Sequence, residues 1–107
     1  MDELKTPAPM SEPEKLELLK LQLQRTGTKL DSLLRADLKQ AAAHIRQYGI
    51  TPGLDEGDDY LQIDYAAYLY NRRNSPELEM PKSLAWDLRN RFLRNTQLLR
   101  EKGQVDG

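Results

Sequence analysis

The chain has 107 residues, no cysteine and a formal net charge of −1 at pH 7. A chain of this length forms at most one small domain, which buries only about 60–65% of its unfolded surface and is marginally stable without support. The composition excludes disulfides and thiolate metal sites, and no stretch approaches the roughly 20 apolar residues of a membrane span. Residues 1–10 carry acids and prolines rather than a signal-peptide pattern, so we expect a soluble protein made inside the cell.

Opposite charges are segregated along the chain. Such polarity suits head-to-tail packing of copies, although solvated helix faces are the more ordinary explanation. The acids of the middle are Asp55, Glu56, Asp58, Asp59 and Asp64, and the bases of the C-terminal segment are Lys82, Arg89, Arg91, Arg94, Arg100 and Lys102.

The first predicted element is a helix that follows a flexible tail. Residues 1–12 have little to bury, so we predict the tail there. Ser11 and Glu14 have the spacing of a capping box, and Gly27 is a natural helix stop. The apolar stripe of this helix comprises Leu16, Leu19 and Leu23.

A second helix is predicted to begin near Thr28, where Asp31 follows as a shorter version of the same box. Gly49 lies where a glycine usually ends a helix. Apolar residues recur every three or four positions, which indicates one buried stripe. The stripe comprises Leu30, Leu34, Leu38, Ala41, Ile45 and Tyr48.

A third helix is predicted over residues 58–73. Acids near its start and arginines at its end complement the helix dipole. Apolar residues cover two of its faces, so we predict a central helix with neighbours on both sides. One face comprises Leu61, Tyr65 and Leu69, and the other comprises Ile63, Ala66, Ala67 and Tyr70.

A fourth helix is predicted to have Pro81 in its first turn and to run to Gly103. No strand alternation is evident, so the predicted fold class is all-α, a small bundle of about four helices. The last helix is long for so small a body. We therefore predict a helical domain over residues 13–93 and a projecting C-terminal arm over residues 94–107, whose removal leaves the core folded. The stripe of this helix comprises Leu84, Ala85, Leu88 and Phe92, with Trp86 beside it.

Residues suited to catalysis or metal binding are few. His44 is the only histidine; no motif gives it a nucleophile, and the positions one turn on hold Gln47 and Tyr48, which are not metal ligands. The acidic loop 55–59 lacks the ligand spacing of an EF-hand and is better explained as a solvated turn that caps a helix. We therefore expect neither an enzyme nor a bound metal or cofactor.

The arginines of the fourth helix keep a small DNA-binding or regulatory protein open as the alternative function. A basic helix can contact phosphates, but the net charge is slightly acidic and no helix-turn-helix is evident. A helical bundle without a specific partner is the third possibility. The arginines are Arg89, Arg91, Arg94 and Arg100.

The order of several segments is more specific than any one of them. They are the leucine-rich residues 15–23, residues 26–34, a helix ending in Tyr48-Gly49-Ile50, the acidic loop, Asp64-Tyr65-Ala66-Ala67-Tyr68-Leu69-Tyr70-Asn71-Arg72-Arg73, and Met80-Pro81-Lys82-Ser83-Leu84 leading into Arg89-Asn90-Arg91. Over roughly residues 14–94, this order resembles the small helical head–tail adaptor proteins of long-tailed bacteriophages, also called head–tail connector or head-completion proteins.

The resemblance implies a structural virion protein. Members of this family assemble as a ring, usually of twelve copies, beneath the portal at the capsid vertex. The ring extends the DNA channel, through which genomic DNA passes without sequence-specific binding, and it presents a platform to a stopper or tail-completion protein. The expected location is the neck of the virion, and the host cytoplasm during assembly.

The resemblance also implies two sets of contact residues. The C-terminal helical segment of the family commonly docks against the portal, which here would employ Arg94, Leu98, Leu99 and Arg100. The third helix would supply both core and inter-subunit contacts. Its polar edge carries residues one turn apart, and tyrosine and arginine are common energetic anchors at interfaces. The predicted inter-subunit residues are Asp64, Tyr68, Arg72 and Arg73.

Overall fold

The computed structural model describes residues 10–51 and 56–101, which form four α-helices and no strand. This confirms the predicted all-α bundle. None of the described helices is long and apolar enough to cross a bilayer. Most of the predicted tail, residues 1–9, and the end of the predicted arm, residues 102–107, lie outside the described residues. The helices are α1 (Glu12–Leu23), α2 (Asp31–Gln47), α3 (Glu56–Asn74) and α4 (Lys82–Glu101).

The start of α1 is the predicted capping box, but its end differs from the prediction. The Ser11 hydroxyl accepts from the Glu14 backbone N–H at 3.3 Å, and the Glu14 carboxylate accepts from the Ser11 N–H at 3.0 Å. The helix ends at Leu23, because Gln24 takes a left-handed conformation with φ of 57°. Gly27 therefore lies in the following loop rather than at the helix stop.

The start of α2 differs from the prediction, whereas its end confirms it. The N-cap residue is Leu30, which makes no side-chain cap, and the Asp31 carboxylate forms an ion pair with Lys20 of α1 at 3.0 Å. At the other end, Gly49 has φ of 87°, which lets the Ile50 N–H donate to the Ile45 carbonyl oxygen at 3.1 Å. This Schellman turn directs the buried Ile50 side chain into the core.

Helix α3 is central, as predicted. It packs against each of the other three helices, and α1 and α2 also pack against each other. Burial of two faces of one helix is what places it between neighbours. The buried apolar residues of α3 are Leu61, Ile63, Tyr65, Ala66, Ala67, Tyr68 and Tyr70; those of the other helices are Leu16, Leu19, Leu34, Leu38, Ala41, Ile45, Leu84 and Leu88.

Helix α4 packs chiefly on α3 and is anchored by a polar residue near its C-terminal end. Asn95 is fully buried. Its side-chain oxygen accepts from the Thr51 N–H at 2.7 Å, and its amide nitrogen donates to both Asp58 oxygens at 3.1 and 3.3 Å. This corrects the predicted boundary at residues 93 and 94, because the first turn of the predicted arm belongs to the body.

Candidate interaction surfaces

The predicted inter-subunit residues occupy four different environments. Asp64 is half-buried and bonds to Gln22 of α1, while Tyr68 is buried and packs edge-on against Tyr65 at 5.9 Å between ring centroids. Arg72 is exposed at the end of α3. Of the predicted set, only Arg72 and Arg73 are exposed. The inter-subunit role of the set stays a prediction.

Arg73 makes its principal contact within the subunit. Both of its terminal nitrogens donate to the two oxygens of Asp37, one of them at 3.2 Å. Asp37 is fully buried in the middle of α2, and a buried carboxylate requires such a partner. Sequence periodicity gave no sign of this pair, since Asp37 stands on the buried stripe among leucines and alanines.

Asp64 lines a pocket of about 250 Å³ between α1, α3 and the start of α4, which we call the acidic pocket. Asp87 and Leu78 also line it. Burial raises the pKa of Asp64, the hydrogen bond from Gln22 lowers it, and the charge of Asp87 raises it further. The pocket therefore repels anions and favours a cationic or hydrogen-bonding neighbour.

The predicted portal-docking residues do not form one exposed patch. Arg100 and Arg94 are exposed, whereas Leu98 and Leu99 are half-buried. Arg91 lies over Gly57 of α3, so one of the arginines considered for DNA binding packs on its own subunit. The portal-docking role of these residues also stays a prediction.

The two most exposed large apolar side chains of α4 lie on a different side. Trp86 is 64% exposed and Leu93 is 55% exposed. They are seven residues apart, about two helical turns, and lie opposite the buried Leu84. Arg89 and Arg100 flank them, and we call these four residues the outer face of α4. The seven-residue spacing of Trp86 and Leu93 in the sequence was the available signal for it.

A second concave surface, which we call the basic groove, lies between α1, α2 and α3. It has a volume of about 460 Å³. Its floor is closed by Gln62 of α3, which donates to the Leu38 carbonyl at 2.8 Å and accepts from Lys15 at 2.9 Å. The lining residues are Glu12, Lys15, Ser32, Arg35, Ala36, Leu38, Lys39, Ala42, Arg46 and Gln62.

The residues considered for catalysis and metal binding include His44 and Asp59, and both make contacts within the subunit. His44 stacks on Tyr65 with 5.4 Å between ring centroids. Asp59 accepts from the Met10 N–H at 3.0 Å and lies 3.5 Å from the Lys15 ammonium. Within residues 10–51 and 56–101, no three histidine or acidic residues are grouped as metal ligands would be.

Comparisons with known proteins identify no relative of this chain. No protein-family model matches the chain, and neither a curated protein nor a solved structure shows significant similarity to it.

Proposed function

We propose that the chain is a head–tail adaptor of a long-tailed bacteriophage, a structural rather than catalytic protein. In this role, copies form a ring beneath the portal, extend the DNA channel and carry the stopper or tail-completion protein. The order of segments over residues 14–94 supports this proposal through its resemblance to that family.

The outer face of α4 is the observation that carries the docking part of the proposal. Trp86 and Leu93 hold exposed apolar surface on an anchored helix, and Arg89 and Arg100 stand beside them. Tryptophan and arginine are the side chains most enriched among residues that dominate binding energy. We therefore assign portal docking to this face, which shares Arg100 with the predicted set and replaces the half-buried Leu98 and Leu99.

The test is co-assembly with a portal protein from the same phage, which the proposed role requires. The wild-type chain should bind the assembled portal in a fixed ratio, measured by mass photometry. Trp86→Ala/Leu93→Ala should weaken binding at least about tenfold, since such anchors contribute more than 1 kcal/mol each. Leu21→Ala is the matched control, because Leu21 is 72% exposed on α1, away from this face. A wild-type chain that ignores the portal would contradict the proposal.

Retention on DNA distinguishes the alternative function. Of the arginines considered for DNA binding, Arg91 packs on α3, while Arg89 and Arg100 remain on the outer face. A regulatory DNA-binding protein should be retained on duplex DNA at physiological ionic strength and should lose retention in Arg89→Ala/Arg100→Ala. The proposed adaptor should wash through in both forms.

A further inference from the structure

We propose that the basic groove binds the loop Glu77-Leu78-Glu79 of a second copy of this chain. The inference specifies the subunit contact of the proposed ring and rests on that function. The groove and the loop carry opposite charges in a chain whose net charge is only −1. The groove of one copy can therefore bind the oppositely charged loop of another copy, and no other protein is needed.

The groove presents three exposed cations that form no ion pair with any of residues 10–51 and 56–101. Arg35, Lys39 and Arg46 are exposed and stand on one side of α2 at intervals of four and seven residues, which are about one and two turns. Glu12 at the rim is the one acid among the lining residues. The groove thus attracts anions.

The loop presents anions around an apolar side chain. Glu77 and Glu79 are exposed between α3 and α4, and no residue in the described ranges pairs with either. Leu78 between them is 38% exposed. An acid–leucine–acid segment suits a groove whose lining combines Arg35 and Lys39 with the apolar Leu38 and Ala42.

The spacing of the two charge pairs is compatible. Arg35 and Lys39 are four residues apart on a helix, a rise of about 6 Å. Glu77 and Glu79 are two residues apart in a non-helical segment, which spans at most about 7 Å. Both carboxylates can therefore reach both cations while Leu78 contacts Ala42 and the edge of Leu38.

The two surfaces lie on opposite sides of α3. Gln62 closes the basic groove, whereas Asn71 lines the acidic pocket together with Leu78. Nine residues separate Gln62 from Asn71, about two and a half turns, so their side chains point in opposite directions. A contact between such surfaces is heterologous, and heterologous contacts form rings or filaments rather than closed two-fold dimers.

Charge reversal on each side provides the test. Arg35→Glu/Lys39→Glu reverses the groove, and Glu77→Lys/Glu79→Lys reverses the loop. Sedimentation velocity at low salt should show that the wild type self-associates, and that each reversed variant alone associates at least about tenfold more weakly. An equimolar mixture should regain association, because each variant then offers the charge that the other has lost. Added salt should weaken the wild-type association.

The controls separate charge from folding and from portal binding. Lys29→Glu changes net charge as much as Lys39→Glu alone, but Lys29 lies outside both the groove and the outer face of α4, so self-association should persist in Lys29→Glu and weaken in Lys39→Glu. Circular dichroism should show unchanged helix content in every variant, since all substituted residues are exposed. A wild type that stays monomeric at all concentrations, or a mixture that does not recover, overturns the inference. Portal binding by unassociated subunits would leave the proposed function standing, whereas self-association without portal binding would overturn only that function.

Discussion

Asp37 in the middle of α2 and Arg73 near the end of α3 form a two-point ion pair across 36 positions of sequence. The Asp37 side chain is completely buried, while the Arg73 side chain is 42% exposed. The arginine therefore covers a charge that would otherwise stand alone in the core. This fixes the distance between α2 and α3 and engages one of the predicted inter-subunit residues within its own subunit.

Removal of the arginine should be costly. Arg73→Met leaves the Asp37 carboxylate buried without its partner, so we expect the free energy of unfolding to fall by about 2–3 kcal/mol. Loss of one partner of a fully buried pair costs about 3–5 kcal/mol, and the exposure of Arg73 reduces that figure. Urea denaturation measures it. Arg72→Ala, on the exposed neighbour, should change the value by less than about 0.5 kcal/mol.

The same pair should tolerate simultaneous replacement. Asp37→Leu/Arg73→Met removes both charges and keeps apolar volume, so we expect it to recover most of the stability lost in Arg73→Met. Equal instability of the single and double variants would show that the cost comes from side-chain packing rather than from the unpaired carboxylate.

Two glycines with positive φ allow the stability cost of backbone strain to be measured separately from the cost of a steric clash. Gly49→Ala places a Cβ in a left-handed conformation, 2.9 Å from the Phe92 ring. Gly27→Ala introduces a similar strain, but nothing lies within 4 Å of the new Cβ. We expect Gly27→Ala to cost about 1 kcal/mol and Gly49→Ala about 0.5–1 kcal/mol more, measured by urea denaturation. Equal costs would show that the Phe92 ring moves freely.

The C-terminal end of α4 should tolerate truncation only beyond Asn95. Truncation after Arg94 removes the acceptor of the Thr51 N–H and the two hydrogen bonds to Asp58. We expect this truncation to cost about 2 kcal/mol more than truncation after Gln97, which retains Asn95. Thermal unfolding of the two chains tests the difference. Identical stability would restore the predicted boundary at residue 94.

Asp64 should make stability depend on pH. Burial raises the pKa of Asp64, the hydrogen bond from Gln22 lowers it, and the charge of Asp87 raises it. The net effect is a raised pKa, so the folded state binds the Asp64 proton more tightly than the unfolded state does. The resulting contribution to stability is full below the ordinary value of about 3.9 and is lost as the pH rises through the raised pKa.

Asp64→Asn should therefore have a higher Tm than the wild type at pH 7, and the difference should shrink as the pH falls towards about 4. Thermal unfolding over this pH range measures it. Glu77→Gln, which removes an exposed acid in the α3–α4 loop, should leave Tm nearly unchanged. A pH-independent difference for Asp64→Asn would indicate a change in hydrogen bonding instead of titration.

Local signals predicted the helices and the central position of α3. The capping box at Ser11 and the glycine at position 49 act over a few residues, so sequence spacing was sufficient to find them. The pairing of Asp37 with Arg73 depends on how two helices align, and no spacing reveals that. The sequence likewise predicts Asn95 in an exposed arm, because nothing local indicates that a single polar side chain has buried partners at Thr51 and Asp58.

Sequence spacing alone does not reveal the outer face of α4, for a related reason. The apolar pattern of this helix predicts one stripe, with Trp86 beside it. The structure assigns Leu84 and Leu88 to the core and leaves Trp86 and Leu93 on the opposite side. The subunit itself covers the face with Leu84 and Leu88, and the proposed portal contact would cover the face with Trp86 and Leu93.

The unequal packing of α4 has a consequence for the order in which the subunit opens. Helices α1, α2 and α3 pack against one another pairwise, whereas α4 is held chiefly by α3. Amide protons of α4 should therefore exchange with solvent through partial opening, well before those of α2 and α3, which should require global unfolding. A partner that covers the outer face of α4 would suppress this opening. Binding of that partner would therefore be detected as slower amide-proton exchange along the whole of α4.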